Sequence, residues 1–221
     1  MLVGNSHLGM MAAGGGGGIV IESTALTEPT TALTDHPITM PAGIAVGDLI
    51  LVVFAVDTDP TVSIDTGVSG SNWTIEGSLA TSNKVTGTVV WKIAEGSDAL
   101  ELDTSGSEHG AAVAYRISGA DEVDVTSVTG GSDSSPNPPS HTPVGGSQDY
   151  LWIAGAMSSR SSTITVAPTN YSNFLATGLV TGSPGLGTAE RALTASSEDP
   201  GVFTSSVSKD WVTFTIAVHP G

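Results

Sequence analysis

The chain contains no cysteine, so disulfide staples and thiolate chemistry are closed to it, and a zinc site would have to rest on histidine and carboxylate alone. That absence suits assembly in a reducing cytoplasm. Basic residues are almost as scarce: Lys84, Lys92, Arg116, Arg160, Arg191 and Lys209 are scattered among 22 acids, for a formal net charge of -16. With no basic cluster there is nothing to track a phosphate backbone, so nucleic acid is not an expected partner. Anionic membrane surfaces are disfavoured for the same reason, and an acidic surface promotes solubility. Yet charged residues are only 13% of the total, too few for an acidic disordered chain. No apolar run approaches the ~20 residues of a membrane span. Aromatics are sparse as well, at 5%, and most of them are needed to fill a core.

What the chain does have is a set of short apolar runs between turn formers. The leading one is Leu49-Ile50-Leu51-Val52-Val53-Phe54-Ala55-Val56, bounded by Asp48 and Asp57. Its length, β-branched content and flanking Gly47 and Pro60 predict a strand buried on both faces. A partner follows about a hundred residues later at Tyr150-Leu151-Trp152-Ile153-Ala154. Further strands are expected at Thr61–Ile64, near Trp73, over Thr86–Ala94, at Ala99–Leu102 and over Ala111–Ile117, with turn signals every eight to twelve residues. No window shows helical periodicity with caps. The fold class expected is all-β, an antiparallel sandwich of jelly-roll type with about eight main strands.

The two halves also run in parallel. Placing Asp149 under Asp48 brings Asn170-Tyr171-Ser172 near Asn72-Trp73-Thr74 and Arg191-Ala192-Leu193 near Trp91-Lys92-Ile93. Val212–Val218 then falls near Ala111–Ile117. This is a repeat of about seventy residues, with pseudo-repeat halves near 44–120 and 145–221 inside one sandwich spanning 22–221. A four-strand unit cannot cover its own apolar face, so two such units are expected to face each other. The expected core is Leu49, Leu51, Val53, Val89, Trp91, Ile93, Val113, Tyr115, Ile117, Leu151, Ile153, Phe214, Ile216 and Val218. Ser132–Gly146, with four prolines, reads as a surface connection within that fold.

Residues 1–21 read as an extended arm in which Met1, Leu2, Val3, Leu8, Met10, Met11, Ile19, Val20 and Ile21 supply apolar contacts for a partner. Ile19–Ile21 is expected to start a first short strand. The arm lacks the basic start and unbroken apolar core of a secretory signal. Its glycines fail as a nucleotide loop, because the dinucleotide spacing puts Ile19 where glycine is needed and no Lys-Ser/Thr follows.

Chemistry-bearing motifs are not evident. His7, His36, His109, His141 and His219 are isolated and expected in surface structural roles. No G-x-S-x-G elbow occurs, and 22 acids offer no preferred glycosidase pair. Asp57, Asp59 and Asp65 could offer loop oxygens to Ca²⁺ but lack the D-x-D-x-D-G run, and Asx-turn chemistry accounts for them. A second acidic group, Asp121, Glu122 and Asp124, follows Gly119. Asn72 and Asn170 match the glycosylation sequon, although nothing else points to a secretory route. No catalytic residue, cofactor or metal ligand is assigned.

Taken together, the Met/Gly-rich opening, V-G-D-L-I-L-V-V-F-A-V, W-K-I-A-E-G, A-Y-R-I-S-G-A-D and the closing W-V-T-F-T-I-A-V-H-P resemble β-sandwich virion proteins of tailed bacteriophages and prophages. These are capsid decoration (cement) proteins, head fibres and tail accessory proteins, and the likeness spans residues 44–221. The resemblance implies a non-enzymatic particle component, assembled in the bacterial host cytoplasm. It would be a homo-oligomer partnered by the major capsid or tail protein. The rival reading is a carbohydrate-binding module or adhesin that contacts host glycans.

Overall fold

A computed structural model describes residues 18–81, 83–126 and 128–221. The first half comprises β1 (Val20–Thr27), β2 (Leu33–Pro37), β3 (Leu49–Asp57), β4 (Val62–Ile64), β5 (Thr74–Thr81), β6 (Val85–Ile93), β7 (Glu101–Glu108) and β8 (Gly110–Ser118). A single helical turn, α1 (Thr66–Ser69), is capped by the Asp65 carboxylate, which accepts from the Gly67 and Val68 amides. The second half comprises β9 (Ala120–Val125), β10 (Thr129–Asp133), β11 (Gln148–Ser158), β12 (Ile164–Val166), β13 (Ser172–Ala176), β14 (Gly185–Ala195), β15 (Thr204–Ser205) and β16 (Lys209–Pro220). The molecule is an all-β antiparallel sandwich.

Both halves are wound alike. In the first, a five-stranded sheet runs β1-β8-β3-β6-β5, and a three-stranded sheet, β2-β7-β4, lies on its outer face. In the second, the large sheet runs β10-β16-β11-β14-β13 with β9 also on β16, and β12-β15 forms the small outer sheet. The eight main strands expected from the sequence are the kernels β8-β3-β6-β5 and β16-β11-β14-β13. The flanking strands lengthen the repeat from about seventy residues to roughly a hundred.

The two large sheets face each other, and alternation along each strand decides which side chains meet. Leu49, Leu51, Val53 and Ala55 of β3 join Val113, Tyr115 and Ile117 of β8 in one central cluster with Leu151, Ile153, Met157, Leu186, Val212, Phe214, Ile216 and Val218. The Tyr115 hydroxyl meets Thr188 Oγ1 at 2.5 Å inside that layer, tying one half to the other. The remaining β3 residues, Ile50, Val52, Phe54 and Val56, face outward onto Leu100, Leu102 and Ile38 of the small sheet and its approach. β3 is therefore buried at all nine positions, the eight of its apolar run as predicted and the terminal Asp57 as well.

Several expectations need correction. Val20 and Ile21 open a strand as expected, but that strand, β1, is longer than the short one read from Ile19–Ile21, running eight residues to Thr27 and paired with β8. Trp91 is only partly buried, its indole donating to Glu76 Oε2 at 3.3 Å, and Ile93, the last residue of β6, is 36% exposed. Setting Asp149 under Asp48 also slips the central strands by one residue. It matches inward-facing Leu49 with Tyr150, whose ring lies on the outer face with Trp152. Because side chains alternate with period two, such a slip exchanges every face. The strand expected at Ala99–Leu102 is β7, which starts later and runs on to Glu108.

The proline-rich connection 132–146 is a packed strip across the outer face of the second large sheet. The Asn137 and Pro139 carbonyls accept from Thr213 and Thr215 at 3.0 and 2.6 Å, and Pro136 O accepts from the Phe203 amide at 2.8 Å. Pre-set φ angles make such a strip inexpensive to order.

Candidate functional site

Among the described residues β1 is the edge strand of its sheet, hydrogen-bonded to β8 on one side only. Its sequence, VIESTALT, alternates between half-buried and exposed positions, leaving Val20 49% and Leu26 47% exposed. An edge of this kind presents unpaired main-chain N–H and C=O groups, and proteins usually blunt it with charge, proline or a bulge. Here β1 carries one acid, Glu22, and a register shift beside it.

Beyond this edge lies a seam between the two large sheets. A groove of about 590 Å³ runs along it, with Ile19, Val20 and Ile21 on one wall. The opposite wall is Asn173, Phe174 and Leu175 of β13 with Glu190 of β14. The wall exists because the β13 ladder is interrupted between Ser172 and Leu175, where Asn173 adopts a φ of 49°. Burial pushes the Glu190 carboxyl above its ordinary range, against a hydrogen bond from Asn173. A second hollow of about 260 Å³ adjoins it, with Gly18 and Ile19 facing Tyr150, Leu151 and Leu193. Ile19, Val20 and Ile21 are thus brought together on one seam of mixed lining, in which Ser23, Thr24, Asn173 and Glu190 stand among the apolar side chains. Met1, Leu2, Val3, Leu8, Met10 and Met11 lie outside the described residues.

No protein-family model, curated protein or solved structure matches this chain.

The acids that the sequence grouped by proximity are dispersed by the fold. Asp57, at the end of β3, is fully enclosed, with Arg160 Nε 3.1 Å from Oδ2. Burial pushes its carboxyl up to about 6, although the Arg160 charge opposes the shift. Asp65, besides capping α1, meets Glu101 and Asp103 of β7, with one carboxylate oxygen from each inside 4.8 Å. Partial burial and the neighbouring carboxylates raise Glu101 and Asp103 above the ordinary range. These three half-buried groups could ligate a hard divalent cation through oxygen. The sequence missed the grouping because its members come from one turn and two alternate positions of a distant strand. Of the later group, Asp124 accepts from the Val144 amide at 3.0 Å and lies 3.3 Å from His141 Nε2.

The histidines also differ from expectation. His36, His141 and His219 are buried, at 2%, 7% and 7% exposure. His36 packs edge-on to Phe54 at 5.2 Å and meets Thr104 Oγ1 at 3.2 Å, and His219 packs edge-on to Tyr150 at 5.0 Å. The segments carrying His36 and His141 are drawn over the outer sheet faces, and His219 lies on β16 itself. Burial holds the His36 and His141 imidazoles below their ordinary value, against the nearby Asp35 and Asp124 charges. His7 lies outside the described residues. Asn72 and Asn170 both adopt positive φ, 71° and 70°, immediately before Trp73 and Tyr171, so the paired sequons occupy equivalent turns. No helix among the described residues is long and apolar enough to cross a membrane.

Proposed function

We propose that this chain is a non-enzymatic structural subunit of a phage particle, decorating or cementing the capsid or attached to the tail. Its attachment elements are residues 1–21 together with the sandwich surface around them. The observation that supports this most directly is the β1 edge, unpaired among the described residues, beside a seam of mixed lining that leads on from residues 1–17. An unpaired edge accepts a strand from a neighbour through main-chain hydrogen bonds, and the seam offers hollows for alternate side chains. The major capsid or tail protein, or a second copy of this chain, is the natural donor. A net charge of -16 keeps free subunits dispersed until that contact forms.

The test compares the full chain with a variant lacking residues 1–18 in a co-sedimentation assay with particles of the encoding phage or prophage. The full chain should pellet with the particles, and the shortened one should stay in the supernatant with an unchanged β-type circular dichroism spectrum. Equal sedimentation of both forms, or of neither, rejects the reading.

A further inference from the structure

In a chain with 22 acids, every cation is expected to find a carboxylate. Four of the six do. Lys92 pairs with Asp98 at 2.7 Å and Glu95 at 3.0 Å, Arg116 with Asp48 at 2.6 Å, and Arg191 with Glu198 at 2.8 Å. Arg160 pairs with Asp57 at 3.1 Å and reaches towards Glu108 at 3.9 Å. Lys84 and Lys209 make no ion pair among the described residues, and the residues outside that description contain no acid. These two lysines are 125 positions apart in sequence. They nevertheless line one pocket of about 290 Å³, together with Arg160.

The pocket lies at one end of the sandwich, where turns of both halves meet. Lys84 comes from the β5–β6 turn, Arg160 from the segment after β11, and Lys209 from the start of β16. Its walls are tied by main-chain bonds: Thr58 N to Lys84 O at 3.1 Å, and Ser159 N to Asp210 O at 2.9 Å. The neighbouring acids are already committed. Asp57 lies buried beneath Arg160, and Glu108 accepts from the Thr58 hydroxyl at 2.8 Å. Asp210 is the one acid in the lining, against the two unpaired lysines and an Arg160 already paired with Asp57. The rest of the lining is hydroxyl and amide, from Thr58, Ser159 and Asn83, with no aromatic ring.

We infer that this pocket binds a small hydroxylated anion, an acidic monosaccharide bearing a carboxylate or a phosphate. Lysine ammonium groups serve as point charges for either group. The size sits at the lower limit of small-molecule sites, roughly 300 Å³ upward, which suits one sugar ring. The hydroxyl and amide lining suits the ring's own hydroxyls. This site is independent of the β1 seam, and its failure would leave the attachment reading untouched.

Isothermal titration calorimetry of the full chain with glucuronate, glucose 6-phosphate, glucose and inorganic phosphate tests it, at low and at physiological salt. Binding of glucuronate, of glucose 6-phosphate or of both supports the proposal and identifies the charged group. Glucose should give no heat. The double variant Lys84→Gln/Lys209→Gln, with its thermal midpoint checked against the parent, should bind at least tenfold more weakly. The same loss should appear in the double variant's ¹H–¹⁵N shift changes, which report the pocket even if heats are small. No binding of either sugar acid, binding that survives the double substitution, or inorganic phosphate binding as tightly as the sugar phosphate would each overturn it.

Discussion

The two halves of the molecule share one strand order but cover their outer faces differently. The first half backs its large sheet with a three-stranded ladder, and the layer between is filled by Ile50, Val52, Val56, Val90, Leu100 and Leu102, with Phe54 as its buried ring. The second has only a two-stranded ladder and the proline strip, and there the layer divides into two small clusters built around Phe203 and around Tyr150 and Trp152. Where less backbone covers a sheet, larger side chains take up the volume. Ring geometry then substitutes for ladder bonds: Trp152 meets Tyr150 at 5.1 Å and His141 at 6.2 Å, both edge-on, and its indole donates to Leu193 O at 3.1 Å.

The most direct way to break this comparison is Trp152→Ala. It should cost about 3–5 kcal/mol in urea unfolding, because a fully enclosed ring is lost from the thin cover. Ile50→Val, a methylene removed from the thick one, should cost about 0.5–1.5 kcal/mol. Similar losses at both sites would mean that the second half does not depend on its rings.

A smaller effect separates the halves by acid titration. Asp57 belongs to the first half and its partner Arg160 to the second. With a folded value of about 6 against an ordinary 3.8, the folded state binds the extra proton. Asp57 therefore contributes more stability as pH falls from about 7 towards 4, by ~1–3 kcal/mol. His36 and His141 act in the opposite sense, since burial lowers both, and the stability present above their ordinary value is lost as pH falls through it. The comparison with Asp57→Asn isolates the carboxylate. The parent should gain stability relative to the variant on acidification, and a gap that stays constant between pH 7 and 4 contradicts the assignment.

The smallest effect is expected at Ile93. Ile93→Ala should cost under about 1 kcal/mol, whereas its ladder partner Leu49, fully enclosed, should cost about 2–5 kcal/mol on the same change.

Ile93 also marks how far the sequence could be read. A strand buried on both faces announces itself most clearly as an unbroken apolar run, as β3 does, while β6, β8, β11 and β16 are legible from their high content of β-branched, aromatic and small apolar residues between turns. Strands such as β7 (ELDTSGSE) and β15 (TS) carry little hydrophobic signal, because they cover a sheet from the solvent side. Where a strand ends relative to the sheet opposite is a matter of packing, so the apolar pattern alone puts Ile93 in the core although it is 36% exposed. The slip between Leu49 and Tyr150 arose because Asp48 and Asp149 look alike while the faces beyond them do not. Ile19, Val20 and Ile21 were recognisable as apolar residues beside a glycine run. The lysine pocket was not legible, since its members come from separate turns and only the meeting of the two sheets assembles them.

The join between the halves is one residue long: β8 ends at Ser118 and β9 begins at Ala120, with Gly119 between them at a φ of 71°. A side chain at that angle would be strained, and the Gly119 carbonyl also accepts from the Gly221 amide at 3.0 Å. So short a tether, pinned at its midpoint, gives neither lobe room to swing. A pull applied to one lobe is passed straight to the other, so the molecule should behave under tension as a stiff strut rather than as two beads on a string.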